Sequence, residues 1–99
     1  ENATFYNAWN DNILYYGKAT EDLSEILLFA VNLDPHAPQA CDFEVPLWEF
    51  GLPDYGAVDV EDVISGHRFT WTGKVQRMAL DPETLPYVVW RIRPLGRPA

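Results

Sequence analysis

The chain has 99 residues, of which 47% are hydrophobic and 14% aromatic, and this composition is typical of a globular domain rather than of a disordered segment. Its 15 acidic and 7 basic residues give a formal net charge of −8, which repels phosphate backbones and anionic lipid surfaces, so nucleic acid and membrane are not expected as partners. No apolar run is long enough to span a bilayer, and the single cysteine, Cys41, excludes a disulfide within the chain, so we expect a cytoplasmic location.

The first two predicted strands are Ile13 to Lys18 and Glu25 to Leu33. Within the second, the unbroken apolar run from Ile26 to Val31 indicates a strand at the centre of a sheet with both faces buried. A turn of buried helix is the alternative, but the run is short for a helix. Pro35 also keeps Asp34 out of the α region, which favours a strand that ends in a turn.

The middle of the chain predicts one strand and one irregular segment. From Cys41 to Val45, apolar side chains alternate with two carboxylates, which is the period of a half-buried strand. Leu47 to Leu52 shows no alternation and ends in Gly and Pro, so it predicts a helical turn or an ordered loop. We expect Trp48 and Phe50 to close one end of the molecule.

The second half of the chain predicts four further strands. Ala57 to Val63 and Arg68 to Thr72 are joined by a tight turn at Ser65-Gly66, and Val75 to Leu80 and Tyr87 to Arg93 follow. The last strand is predicted to turn Val88, Trp90 and Ile92 inward and Arg91 and Arg93 outward. The seven strands predict an all-β, antiparallel two-sheet β-sandwich of Greek-key type, which forms a single domain over residues 1–99.

The polar residues do not predict a catalytic site, a metal site or a cofactor. Neighbouring carboxylates such as Glu21-Asp22 and Glu61-Asp62 lie in or beside predicted turns, where solvation explains them. His36 and His67 have no second cysteine or histidine at ligand spacing. Ser65 near His67 is turn chemistry rather than a nucleophile and its base.

Aromatic side chains are the remaining candidates, because exposed Trp and Tyr rings stack on sugars. Trp71 and Trp90 lie in strand patterns and are predicted to be core. Trp9, Trp48 and Tyr55 fall near loops, so they are the candidate carbohydrate-binding residues.

Four segments resemble one enzyme family. They are Asp11-Asn12-Ile13-Leu14, Val31-Asn32-Leu33-Asp34-Pro35-His36, the stretch from Val58 to Leu80, and Val88-Val89-Trp90-Arg91-Ile92. Together they resemble the C-terminal β-sandwich of α-amylase-family enzymes, especially the branch that transfers maltosyl units from maltose 1-phosphate to glucan. The chain departs from the family pattern at Gln76 and Met78.

The resemblance implies an accessory role. In such enzymes an upstream (β/α)₈ barrel carries an Asp nucleophile and a Glu acid/base, and neither has a counterpart here. We therefore expect a non-catalytic domain, excised from a longer bacterial enzyme, that packs on and stabilises its barrel. Trehalose synthase and α-amylase remain alternatives for the parent reaction. The rival roles for the domain are an α-glucan-binding module and a surface for homodimer formation.

Overall fold

A computed structural model describes residues 3–95, and this part of the chain contains eight strands and one short 3₁₀ helix. The strands are β1 (Thr4–Phe5), β2 (Ile13–Ala19), β3 (Ile26–Asn32), β4 (Gln39–Glu44), β5 (Ala57–Asp62), β6 (Arg68–Thr72), β7 (Val75–Leu80) and β8 (Tyr87–Pro94). The helix is Leu47–Phe50. The seven predicted strands are confirmed as β2 to β8, whereas the two-residue β1 was not predicted. None of the helical residues in the described range belongs to a helix long and apolar enough to cross a membrane.

Two antiparallel sheets form the sandwich. One has six strands in the order β1-β2-β3-β8-β5-β6, and the other consists of β4 and β7. The chain leaves the large sheet after β3 and again after β6, and β8 returns between β3 and β5, so the connections cross between the sheets as the Greek-key prediction requires.

The core lies between the two sheets and is rich in aromatic rings. Phe43 of the small sheet is fully buried and stacks on Trp90 of the large sheet, with ring centroids 5.4 Å apart and planes 7° apart. Trp71 meets both rings edge-on, at 5.4 Å and 4.9 Å. The predicted inward side of β8 is confirmed, because Val88, Trp90 and Ile92 are all buried.

The 3₁₀ helix corrects one expectation about the end of the molecule. Phe50 is buried as expected, but Trp48 is 46% exposed and does not close the core. In a 3₁₀ helix the side chains three positions apart share a face. Leu47 and Phe50 therefore both point into the core, and Trp48 lies on the solvent-exposed face of the helix.

The central strand β3 corrects a second expectation. It is indeed the third of six strands, and its inward side chains from Ile26 to Ala30 are fully buried. Its other face is only partly buried, at Leu27, Phe29 and Val31. The small sheet covers one side of the large sheet, so the opposite side, here called the outer face, has no layer over it among residues 3–95.

Candidate functional site

The three candidate sugar-binding rings all lie at the surface. Trp9 is 56% exposed and follows a bridge between Ala8 and Phe43, where its backbone N–H donates to the Asp42 carbonyl at 3.0 Å. Tyr55 is 81% exposed in the turn before β5. Within residues 3–95 no ring contact joins Trp9, Trp48 and Tyr55, so the structure does not assemble them into one stacked platform.

Trp48 is the candidate ring with the most defined support. Tyr6 meets it edge-on at 5.8 Å and 75°, and the Tyr6 hydroxyl donates to a Glu49 carboxylate oxygen at 2.9 Å. Burial raises the pKa of Tyr6, and the hydrogen bond to Glu49 raises it further, so the phenol stays protonated and keeps donating. Sequence reasoning did not identify Tyr6, because it lies outside any periodic segment.

The polar groups inside the described sandwich are hydrogen-bonded. Tyr15 is buried, and its hydroxyl donates to the Glu44 carbonyl at 2.8 Å; burial raises its pKa well above the ordinary value. Among residues 3–95, every buried side-chain nitrogen and oxygen has a hydrogen-bond partner, and Asn32 is the one polar residue classed as buried. The described residues also contain no group of three His, Cys, Asp or Glu side chains that could hold a metal ion.

The turn after β3 is built by side-chain to backbone hydrogen bonds. Asn32 accepts from the Asp34 N–H at 2.7 Å, and Asp34 accepts from the His36 N–H at 2.9 Å. The hydrogen bond from the His36 backbone lowers the pKa of Asp34, with Gln39 donating to the second carboxylate oxygen at 2.9 Å. The turn predicted at the end of this strand is confirmed, and His36 is an exposed residue within it.

Ser65 and His67 also belong to a turn. The Asp62 carboxylate accepts from the backbone N–H groups of Ile64 and Ser65, both at 3.0 Å, and the Ser65 hydroxyl accepts from the His67 N–H at 3.2 Å. Gly66 has a φ of 81°, which a residue with a Cβ rarely adopts. The seryl oxygen is thus bonded to backbone rather than to an imidazole.

A surface depression lies beside the β2–β3 hairpin. It is lined by Lys18, Ala19, Thr20, Glu21, Asp22, Ser24, Glu25 and Leu27. The Ser24 hydroxyl and backbone N–H, together with Thr20, bond to Asp22 and lower its pKa. These bonds order the hairpin tip.

The outward arginines of β8 form ion pairs with neighbouring strands. Arg91 lies 2.8 Å from a Glu61 carboxylate oxygen and 3.3 Å from one of Glu25. Arg93 contacts the other Glu25 oxygen at 3.1 Å, and Arg68 lies 3.6 Å from Glu61. The hydrogen bond to Glu61 raises the pKa of Arg91. Two carboxylates thus hold three arginines, so each of these cations has an anionic partner within the domain.

Comparison with known proteins identifies the family. The family model described as "GLGE, C-terminal" matches residues 5–92. An alpha-1,4-glucan:maltose-1-phosphate maltosyltransferase of Cereibacter sphaeroides is 62% identical over 94 residues, which cover 95% of this chain and 14% of the relative. The enzyme of the same description from Pseudomonas aeruginosa is 57% identical over 88 residues, covering 89% of this chain and 13% of the relative.

Solved structures agree on the fold. A β-L-arabinopyranosidase from Geobacillus stearothermophilus superimposes with a TM-score of 0.65 at 11% identity, over 97% of this chain and 21% of that one. At this identity the likeness concerns the fold alone. The chain thus spans about one seventh of its curated relatives, in a segment whose family is defined as C-terminal. On the family match and these identities, the chain belongs to the GLGE C-terminal domain family.

Proposed function

We propose that this chain is the non-catalytic C-terminal domain of a bacterial, cytoplasmic enzyme that transfers maltosyl units from maltose 1-phosphate to α-1,4-glucan. The observation that carries the proposal is the 62% identity with a maltosyltransferase over 95% of the chain. Most of that relative lies outside the matched segment, which leaves room for a catalytic (β/α)₈ barrel elsewhere in the parent protein. The buried, single Cys41 agrees with a reducing compartment.

The chemistry of the interior supports a role without catalysis. Retaining glycosidases hold two carboxyl groups about 5–5.5 Å apart across a cleft, one of them with a raised pKa. The described interior is packed with aromatic and aliphatic side chains, and the carboxylates of Glu25 and Glu61 are held in surface ion pairs with Arg91. No cofactor is needed for the proposed role, which is to stabilise the barrel by packing on it.

The test uses the complete protein that carries this chain. We expect it to release inorganic phosphate from maltose 1-phosphate only when an α-glucan acceptor is present. Release of glucose or maltose by hydrolysis, or formation of trehalose from maltose, would assign the parent to another branch of the α-amylase family.

The non-catalytic assignment is tested in the same assay. Glu49→Gln and Glu61→Gln remove the carboxylates that bond to Tyr6 and Arg91. We expect kcat to change less than about threefold, because loss of a general acid or base would lower it by about 10²–10⁴. A loss of that size in a folded variant would place catalysis in this domain.

Exposed aromatic rings support a second candidate function, binding of α-glucan. Trp48 is exposed and its ring is supported by Tyr6, which gives a fixed apolar face of the kind that stacks on sugars. The unmodified protein should then migrate more slowly in native gels that contain glycogen, and Trp48→Ala should abolish this retardation. The same assay with Trp9→Ala and Tyr55→Ala shows whether those rings contribute to binding. Leu33→Ala removes an exposed apolar side chain of another type and serves as the control.

A homodimer is the third possibility. The strands β6 and β7 each pair on one side only in the described chain, and free strand edges are a common means of association. Light scattering of the complete protein across a concentration series would reveal such a dimer as a doubling of mass.

A further inference from the structure

The outer face of the large sheet carries a continuous apolar surface. Strand pairing places Phe5 beside Tyr16, Tyr16 beside Phe29, and Phe29 beside Val89, so the four side chains form one row across β1, β2, β3 and β8. The Phe5 and Tyr16 ring centroids lie 5.8 Å apart, and Tyr16 stacks on Phe29 at 5.0 Å and 13°. These contacts make the row a single surface rather than scattered side chains.

A second row lies beside the first. Leu14 pairs with Val31, and Val31 pairs with Tyr87, again on the outer face. Phe5 is 67% exposed and Tyr87 is 49% exposed, while the side chains between them are only partly buried. The two rows together are here called the outer apolar patch. Soluble monomers rarely leave contiguous apolar surface of this kind uncovered, and such patches mark interaction sites.

A charged border lies along one side of this patch. The ion pairs of Glu61 with Arg91 and Arg68 lie on the same outer face toward β5 and β6. Arg91 also pairs with Glu25, which directly precedes β3. An apolar centre with a polar, ion-paired rim is the usual anatomy of a protein interface. Each cation of the rim has a carboxylate partner within the domain, so a partner needs no strong opposite charge to match it.

We infer that the outer apolar patch packs on the polypeptide that precedes this domain in the same protein. The inference rests on the proposed function only in taking the parent's catalytic portion as the partner. Relatives extend far beyond the matched segment, and that segment is C-terminal, so most of a relative's length precedes it. The N-terminal strand β1 is the edge of the same sheet and carries Phe5 of the patch, so the preceding chain arrives beside this surface.

Charge argues against a second copy of the domain as the occupant. Each copy has a formal net charge of −8, and two such domains facing each other would repel. The preceding polypeptide is covalently attached, so its packing costs no translational freedom. The smaller entropic cost favours an intramolecular contact on a patch of moderate size.

Cysteine labelling of the complete protein tests the inference. Phe5→Cys and Tyr87→Cys place a thiol at the most exposed positions of the patch. Val75→Cys places one at a 51% exposed position in β7 of the small sheet, away from the outer face. Native Cys41 is buried, and peptide mass spectrometry separates its signal from the others. We expect maleimide labelling at both patch positions to be at least about tenfold slower than at Val75→Cys, because only local opening would expose a covered thiol.

Each other outcome overturns the inference. Labelling of both patch positions as fast as Val75→Cys would mean that the patch is open in the complete protein. Protection that disappears on dilution, in step with a halving of mass by light scattering, would assign the patch to a second copy. If one patch variant does not fold, the other still gives the measurement. The result is independent of the reaction catalysed, because protection can be found in a protein with no maltosyl transfer, and transfer can be found with an open patch.

Discussion

Asn32 is expected to be the most sensitive polar position in the domain. It lies at the end of β3, and its amide nitrogen donates to the carbonyls of Ala37 and Leu80, both at 3.0 Å, while its side-chain oxygen accepts from the Asp34 N–H at 2.7 Å. Leu80 ends β7, so one of these bonds joins the two sheets. A net value of about 1 kcal/mol per hydrogen bond gives a loss of about 3 kcal/mol in Asn32→Ala.

The loss is large relative to the stability of a domain of this size. Unfolding free energies are about 5–15 kcal/mol, so Asn32→Ala should remove a substantial share. Urea unfolding of the chain would measure the difference directly, and the melting temperature should fall by about 12–24 °C at about 4–8 °C per kcal/mol. The matched control is Asn12→Ala, since Asn12 is exposed and its neighbours bond to its backbone.

A conservative variant separates hydrogen bonding from packing. Asn32→Asp keeps the shape and the acceptor for the Asp34 N–H, but it replaces the amide nitrogen, which donates both bonds, with one oxygen that faces two carbonyl groups. It should therefore be at least as unstable as Asn32→Ala at neutral pH and should recover in part at low pH, when the carboxyl group can donate one bond. Equal stability of Asn32→Ala and Asn12→Ala, within about 0.5 kcal/mol, would refute the reasoning.

Three further changes test the core, a close contact and a turn. Phe43→Ala should lower the free energy of unfolding in urea by about 3–5 kcal/mol, because it empties the centre of the aromatic cluster. Phe69→Ala, at a partly exposed ring, should lower it clearly less, and similar losses would contradict the described core. Gly17→Ala should lower the free energy of unfolding by about 1–3 kcal/mol, because the new Cβ would lie 2.8 Å from Tyr6 Cε2 and 3.0 Å from Leu28 Cδ2. An unchanged melting temperature would mean that these neighbouring side chains move aside freely. The lowered pKa of Asp34 contributes stability that is present above the unfolded value of about 3.9 and is lost as pH falls through the folded pKa. Asp34→Asn should therefore reduce the loss of unfolding free energy at acid pH, and parallel curves of unfolding free energy against pH for the two proteins would exclude this role.

Much of the fold could be predicted because local signals and long-range packing agree. The period of two in β4 and β8 corresponds to inward side chains such as Phe43 and Trp90 and outward side chains such as Asp42 and Arg91. The turn predicted at Ser65-Gly66 is also confirmed, because Gly66 has a φ of 81°, where a residue with a Cβ is strained. Strand ends and turns were therefore located within about two residues.

The missed features depend on contacts that no local pattern encodes. β1 has two residues and forms by antiparallel pairing with the edge of β2, where Thr4 lies beside Gly17 and Phe5 beside Tyr16. The exposure of Trp48 follows from the three-residue period of its helix, which the sequence alone left open between a helical turn and a loop. The candidate sugar-binding residues stay a prediction, because exposure of Trp9, Trp48 and Tyr55 permits binding without demonstrating it.

The apolar run of β3 predicted a strand at the centre of a sheet with both faces buried. The central position is confirmed, but one face is only partly buried. An antiparallel strand with one solvent-exposed face normally alternates apolar and polar residues. Polar residues would therefore be expected at the positions of Leu27, Phe29 and Val31 if this face were exposed to solvent in the complete protein. Hydrophobic pattern reports which side chains are stabilised by burial, but it does not say which polypeptide covers them. The small sheet covers Ile26 to Ala30, and nothing in residues 3–95 covers the other side. The simplest physical account is that the run encodes two interfaces, one inside the domain and one with the polypeptide that we infer packs on its outer face.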